Sequence, residues 1–145
     1  MEQQTSLKIY VVDDDLFSLN LYKQHLHNLG YENVSAFDNG VACLNALTGQ
    51  PDIIFLDHGM DILNGVEVLK KIKRFNPDIY VVFISAQEDV STAVNSLKYG
   101  AFDYIVKGDK DMQRMEAVLS KIIAVKEMLR KSNKGFIRKF FAFFL

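Results

Sequence analysis

The sequence predicts an α/β fold, in which helices cover both faces of a five-stranded parallel sheet. Five short apolar runs alternate with five longer segments of helical periodicity, and the connections between them are only a few residues long. Such alternation implies right-handed crossovers between parallel strands. The run Ile53–Leu56 is apolar at every position, as expected for a strand buried on both faces. At 145 residues and 49% hydrophobic content, the chain can bury the core of one domain.

The first two strand–helix units are predicted within residues 8–48. The strands should occupy residues 8–12 and 33–37, the first helix should follow Asp15, and the second should span about residues 40–48. The Asp15 carboxylate can accept from the exposed amides of the first helical turn, and Gly30 is placed to end that helix. The positions expected to face the core are Leu16, Leu19, Tyr22, Leu26, Leu29, Val41, Leu44 and Leu47.

The other three units are predicted within residues 53–131. Strands are expected at 53–57, 80–84 and 104–106, with helices at 65–74, 90–99 and 109–131. Pro77 breaks the first of these helices, and Gly100 stops the second. The positions expected to face inward are Val66, Leu69, Ile72, Met112, Met115, Leu119, Ile122 and Leu129.

Reactive or charged side chains follow four of the predicted strands. Asp13 and Asp14 follow the first strand, Asp57 the central one, Ser85 the fourth and Lys107 the last. Because parallel strands bring their carboxyl ends to one edge, we expect these groups to form a single site. Crowded carboxylates repel one another, and a hard cation such as Mg²⁺ relieves that repulsion. A lysine and a hydroxyl beside an aspartate nucleophile indicate phosphoryl transfer to that aspartate.

Other sites are less consistent with the sequence. A helix-capping acidic turn would explain Asp15 but would leave Asp57 without a role. A metal site formed by histidines (His25, His27 and His58) with Cys43 is disfavoured. His25 and His27 lie two residues apart, on different sides of a helix, and Cys43 is the only cysteine. That lone cysteine allows no intramolecular disulfide, which fits a reducing cytosol, and it is expected to pack in the core. An aspartate phosphatase of the haloacid dehalogenase type needs a second aspartate where Gly59 stands.

Several short segments recur in one order and spacing: 11–15, 55–57, Met60 with Asn64-Gly65, 84–86, 100–101 and 103–107. Together they resemble the receiver domain of two-component response regulators. The resemblance covers about residues 7–130 and implies a doubly wound sheet of the flavodoxin-like strand order 2-1-3-4-5.

The resemblance also implies a phosphorylation site and its metal. Asp57 would accept a phosphoryl group from the phosphohistidine of a histidine kinase or a phosphotransfer protein. Mg²⁺ would bind Asp14, Asp57 and the Gly59 carbonyl directly, and Asp13 mainly through water. The chain would then be a cytoplasmic signalling phosphoprotein that forms an aspartyl phosphate and turns over no external substrate.

A switch is implied as well. Ser85 would hydrogen-bond the phosphoryl group, Lys107 would pair with it, and Tyr104 would rotate in response. The face of the fourth helix, fifth strand and fifth helix would then bind a downstream protein or a second copy. A static core role for Tyr104 remains the alternative. For the whole chain, the alternative is an adaptor on the same fold that signals without phosphate.

Two positions depart from the family pattern. The family usually has proline after the lysine, and here Gly108 follows Lys107. Asp61 follows Met60, where the family again usually has proline. Glycine lacks the fixed φ of proline, so the turn after Lys107 should be looser. The looser turn bears on the positioning of Lys107 and on the lifetime of the phosphorylated state.

A basic-aromatic tail follows the predicted domain 1–131. Residues 112–145 hold eight Lys/Arg and two Asp/Glu, whereas residues 1–111 hold nine and sixteen. We expect residues 132–145 to form a short amphipathic helix after a joint at Gly135. Docking in a protein groove is favoured over an anionic membrane surface, since the nearby cations give only modest membrane attraction. About 14 residues after Lys131 leave no room for a DNA-binding domain, so no contact with nucleic acid is expected.

Overall fold

The computed structural model describes residues 6–60, 62–86 and 90–144, and within them a parallel sheet lies between two layers of helices. All five strands contain four to six residues. The elements in chain order are β1 (Ile9–Val12), α1 (Leu16–Asn28), β2 (Val34–Phe37), α2 (Gly40–Asn45), a 3₁₀ turn (Leu47–Gly49), β3 (Ile53–Leu56), α3 (Gly65–Phe75), β4 (Tyr80–Ser85), α4 (Val90–Lys98), β5 (Asp103–Val106) and α5 (Asp111–Phe144).

The strand order is β2-β1-β3-β4-β5, and every pair is parallel, which confirms the predicted fold class. The register aligns the carboxyl ends of β1 and β3 and those of β4 and β5, and β4 extends two residues beyond the end of β3. Val12 pairs with Leu56, and Ser85 pairs with Val106. The residues that follow these strands therefore meet at one edge.

Alternate residues of the buried strands enter two separate cores. On one face, Ile9 and Phe55 pack with side chains of α1 and α5. On the other, Tyr10 and Leu56 pack with side chains of α2 and α3. The period of two follows from the pleat of a strand, which points successive side chains to opposite faces. Burial on both faces explains why these strands are apolar throughout.

Some positions predicted to face the core are exposed instead. Leu16 is 60% exposed, Val41 48% and Leu129 54%, and in α3 the buried valine is Val68 rather than Val66. A four-residue strand spans about 13 Å, whereas the 13 residues of α1 span about 20 Å. Helices as long as α1 and α5 therefore run past the edge of the sheet, which accounts for the exposure of Leu16 and Leu129.

The first two helices begin as the sequence predicts, but the second ends early. The Asp15 side chain accepts from Phe17 N at 3.3 Å and caps α1. Gly30, with φ 101°, follows its last turn. The α-helix that begins at Gly40 stops at Asn45 and gives way to the 3₁₀ turn, so the predicted single helix to residue 48 is wrong.

The last helix differs most from its prediction. It begins at Asp111 rather than at residue 109, and it continues without a break to Phe144. The joint expected at Gly135 is absent, so the tail forms one helix with α5. The division into a domain and a tail, and the docking of the tail, stay predictions. None of the helices described combines the length and the hydropathy that a membrane crossing requires.

Candidate functional site

Three carboxylates meet where β1 and β3 end. Asp13 and Asp57 are buried, at 2% and 7% exposure, while Asp14 is exposed. One oxygen from each of the three lies within 4.8 Å of the others, and we call this group the acidic cluster. Asp15 stands apart, because its carboxylate also accepts from Ser18 Oγ at 2.8 Å within α1. Asp15 therefore caps α1, whereas Asp13 and Asp14 belong to the acidic cluster.

Lys107 reaches the acidic cluster from the end of β5. Its Nζ lies 2.8 Å from Asp13 Oδ2 and 3.9 Å from Asp57 Oδ1. Burial alone would lower the pKa of Lys107, but its hydrogen bond to Asp13 and the charges of Asp57 and Asp13 raise that pKa overall. The ammonium group is therefore held in its charged form, bonded to Asp13 and within reach of Asp57.

The surroundings of Asp57 destabilise the ionised form of its carboxylate. Burial and the charge of Asp13 raise its pKa to about 6, although Lys107 and the Gly59 amide partly oppose the rise. Gly59 N donates to Asp57 Oδ1 at 3.4 Å. A raised pKa means that the site disfavours the ionised carboxylate until an added positive charge compensates it.

The acidic cluster fits a hard divalent cation. Mg²⁺ prefers oxygen ligands and is commonly bound by one or two carboxylates, with water and phosphate oxygens completing its shell. Asp14 supplies an exposed carboxylate beside the buried pair, so the cluster is open to solvent on one side. Receiver domains typically bind Mg²⁺ at such acidic residues. The part of the Gly59 carbonyl in this site remains a prediction.

Ser85 and Tyr104 lie on neighbouring strands beside the acidic cluster. Ser85 is buried at the end of β4, and Lys107 N donates to its carbonyl oxygen at 2.8 Å. Tyr104, in β5, is half-buried and stacks on Phe83 with ring centroids 5.9 Å apart. All predicted site residues therefore lie at or next to one edge of the sheet, but their functional roles stay predictions. Asp61 lies outside the described residues.

Several neighbours of the site are not predicted as functional by the sequence. Phe83 packs between Tyr104 and His58, whose ring centroid lies 5.8 Å away. The alternation of side chains along β4 could have identified Phe83 from the sequence. Phe83 and Ser85 lie two residues apart and therefore point to the same face of the sheet. His58 Nδ1 is buried and has no hydrogen-bond partner in the part of the chain that the structure describes. Burial lowers the pKa of this histidine.

The residues disfavoured as metal ligands have ordinary structural roles. Cys43 is buried, and burial raises the pKa of its thiol to about 12, so it packs as an unreactive core residue. His25 Nε2 lies 3.1 Å from the Met112 carbonyl oxygen, in a contact between α1 and α5.

Comparisons with known proteins agree with this geometry. The family model described as response regulator receiver domain matches residues 9–120. Transcriptional regulatory protein ZraR of Klebsiella oxytoca is 37% identical over 117 residues, covering 80% of this chain and 26% of that protein. Transcriptional regulatory protein PrrA of Mycobacterium tuberculosis is 35% identical over 128 residues, with 88% and 52% covered. A response regulator receiver domain structure from Clostridium thermocellum superposes with a TM-score of 0.78 at 28% identity, covering 85% and 98% of the two chains.

A doubly wound sheet with an acidic cluster and a lysine at its carboxyl edge defines a phosphorelay signalling module. This chain belongs to the response regulator receiver domain family of two-component systems. It spans between about a quarter and half of the length of the two curated relatives. Receiver domains interact with histidine kinases and other proteins. Because these relatives regulate transcription, the expected lack of contact with nucleic acid stays a prediction.

Proposed function

We propose that Asp57 accepts a phosphoryl group from the phosphohistidine of a histidine kinase or a phosphotransfer protein. The observation that carries this proposal is the buried Asp57 carboxylate, with Lys107 Nζ 3.9 Å away and two further carboxylates beside it. A capping or packing role would not require a lysine and three carboxylates at one strand edge. The chain acts as a switch and turns over no external substrate.

The reaction forms one P–O bond and breaks one P–N bond. An Asp57 carboxylate oxygen attacks phosphorus, and the imidazole leaves with the electron pair of the broken bond. The leaving group is neutral imidazole when its other nitrogen carries a proton. The Lys107 ammonium pairs with the phosphoryl oxygens, and the Ser85 hydroxyl donates to one of them. Charge stabilisation and positioning are thus the main contributions of the protein.

The acidic cluster would hold Mg²⁺ during this transfer. Asp14 and Asp57 would bind the ion directly with the Gly59 carbonyl, and Asp13 would act through water. The bound ion supplies positive charge that offsets the carboxylates and the phosphoryl oxygens. The short Lys107 to Asp13 contact of 2.8 Å suits this arrangement, because it keeps a second cation within reach of the same oxygens.

The proposal is tested by phosphorylation without a kinase. Incubation with a small acyl phosphate and Mg²⁺ should add one phosphoryl group, about 80 Da, measured by intact-protein mass spectrometry. EDTA should prevent the addition, and Mg²⁺ titration followed by NMR should shift the amides around the acidic cluster. An unmodified protein that also fails to bind millimolar Mg²⁺ would overturn the proposal and favour the phosphate-independent adaptor.

The phosphoryl group is also expected to shift the conformational equilibrium of the face formed by α4, β5 and α5. A shift from 1:99 to 99:1 needs about 5.5 kcal/mol of differential stabilisation. A lysine pair and a hydroxyl bond, at about 1.5–3 kcal/mol each, approach that value. Val90 and Val94 of α4 are exposed and lie one helical turn apart, so they offer an apolar surface to which a downstream protein or a second copy can bind.

Ser85→Ala should separate phosphorylation from this response. We expect Asp57 to be modified in the variant, while the phosphate-dependent shift of the Tyr104 ring signals and the change in sedimentation are reduced at least about twofold. The physical reason is the loss of one hydroxyl bond, worth about 1.5–3 kcal/mol, to the phosphoryl group. Ser96→Ala is the control, since Ser96 is buried but donates to Thr92 O within α4. A response equal to that of the unaltered chain would exclude Ser85 from the switch.

A further inference from the structure

The loop that carries Lys107 lacks the proline that the family usually has. Residues 107–110 join β5 to α5, and we call them the Lys107 loop. At its start, Lys107 N donates to Ser85 O at 2.8 Å, which continues the pairing of β5 with β4. Gly108 follows and is exposed, with nothing within 4 Å of the position that a Cβ would occupy. Side-chain packing therefore does not restrain this glycine, and any restraint on its φ comes from hydrogen bonds of the loop.

Asp111 provides such a contact at the other end of the loop. Its Oδ2 accepts from Gly108 N at 3.4 Å, and Asp111 N donates to Gly108 O at 3.3 Å. The same Oδ2 accepts from the hydroxyl of Tyr22 in α1 at 2.8 Å. One carboxylate oxygen thus joins Gly108 to Tyr22, which lies 89 positions before Asp111 in the chain.

Tyr22 is well placed to anchor this carboxylate. It is only 3% exposed, and it lines a small void beneath the acidic cluster together with Asp13 and Asp57. Burial and the hydrogen bond to Asp111 raise the pKa of its hydroxyl, so the hydroxyl stays a donor. One helical turn further along α1, His25 makes its contact with the Met112 carbonyl. The first turn of α5 is therefore fixed to α1 at two successive residues.

We propose that Tyr22 and Asp111 are positioning residues that hold the Lys107 loop in the place of the missing proline. Proline would restrict φ directly, whereas here a buried hydroxyl and a carboxylate restrain the glycine from outside. The inference rests on the proposed function, because its consequence is the placement of the Lys107 ammonium against the phosphoryl oxygens. It assigns to Tyr22 a role beyond core packing.

Tyr22→Phe tests the proposal with the smallest change, the loss of one oxygen atom. We expect phosphorylation by saturating acyl phosphate to slow about fivefold, on the order of one lost hydrogen bond. Mg²⁺ affinity should remain within about twofold, because no proposed ligand changes. Amide hydrogen exchange at Gly108 should become faster. Tyr10→Phe is the matched control: Tyr10 is also 3% exposed and donates its hydroxyl to Ala46 O at 2.7 Å, away from the Lys107 loop.

The outcomes separate this inference from the proposed function. If the unaltered chain is phosphorylated and Tyr22→Phe matches it in rate and in Gly108 exchange, the positioning role is overturned. Equal slowing by Tyr10→Phe would also overturn it, since the effect would then reflect general stability.

Asp111 is tested with a pair of variants. Asp111→Asn keeps an acceptor oxygen, so it should be phosphorylated faster than Asp111→Ala, which has none. Equal rates in these two variants would count against the proposal. If the unaltered chain is never phosphorylated, the proposed function fails, and faster Gly108 exchange in Tyr22→Phe alone would still support the restraint.

Discussion

Asp57→Asn is expected to abolish phosphorylation and, at the same time, to stabilise the fold. The amide cannot act as the nucleophile, so the added mass of about 80 Da should disappear. The stabilising effect has a separate cause. Asp57 is 7% exposed, and its pKa is raised to about 6, which means that the folded chain disfavours the ionised carboxylate. Neutral asparagine removes this penalty, while Lys107 keeps its contact with Asp13.

The size and the pH dependence of the stabilisation follow from the pKa shift. Between the ordinary pKa of 3.8 and the raised pKa of about 6, the folded chain binds more protons than the unfolded chain. Ionisation of Asp57 therefore destabilises the native state as the pH rises through this window, and the penalty is constant above it. We expect Asp57→Asn to gain about 1–3 kcal/mol at pH 7.5 and almost nothing near pH 4.

Urea denaturation in EDTA measures this difference in the free energy of unfolding. Asp109→Asn is the control, because Asp109 is exposed in the Lys107 loop and carries the same formal charge. That control should change stability by less than about 0.5 kcal/mol. Phosphorylation of Asp57→Asn at the normal rate would contradict the assignment of the acceptor. Equal stability of the variant and the unaltered chain at pH 7.5 would contradict the electrostatic description of the site.

The site could be predicted largely because its residues terminate strands. A charged side chain at the end of an apolar run is visible in the sequence, and parallel order places such ends together. Asp13, Asp57 and Lys107 meet for this reason. The contact between Tyr22 and Asp111 could not be predicted in the same way. Helical periodicity places Tyr22 on the buried face of α1, but its hydroxyl partner depends on how α5 packs against that helix.

The errors in the helices have a comparable origin. The low helix propensity of glycine, about 1 kcal/mol worse than alanine, predicts a joint at Gly135. Helix formation is cooperative, and helical neighbours on both sides can offset one unfavourable residue. Leu16 and Leu129 illustrate a second limit, because periodicity shows which side chains share a stripe and not where the sheet beneath it ends. Local patterns therefore predict the elements better than their ends.

The structure shows why position 65 requires glycine, which the sequence alone does not reveal. It is the first residue of α3, after the cap in which Asn64 Oδ1 accepts from Glu67 N at 3.0 Å. Gly65 N donates to His58 O at 3.1 Å, which fastens α3 to the segment that follows β3. A Cβ here would meet Phe83 Cε1 at 2.5 Å, His58 Cα at 2.8 Å and Asp57 O at 3.0 Å. Two of these three atoms belong to the backbone.

Gly65→Ala should therefore destabilise the protein by about 1–3 kcal/mol, the usual range for overpacking a core. Phe83 cannot yield easily, because its ring is fully buried between His58 and Tyr104. The strain should instead move the backbone around Asp57 and weaken Mg²⁺ binding several-fold. Thermal unfolding and Mg²⁺ titration measure the two effects. Gly135→Ala is the control from outside the site, since a Cβ at Gly135 meets nothing within 4 Å. A Gly65→Ala variant as stable as Gly135→Ala, with unchanged Mg²⁺ affinity, would show that the close approach of α3 is unimportant for the site.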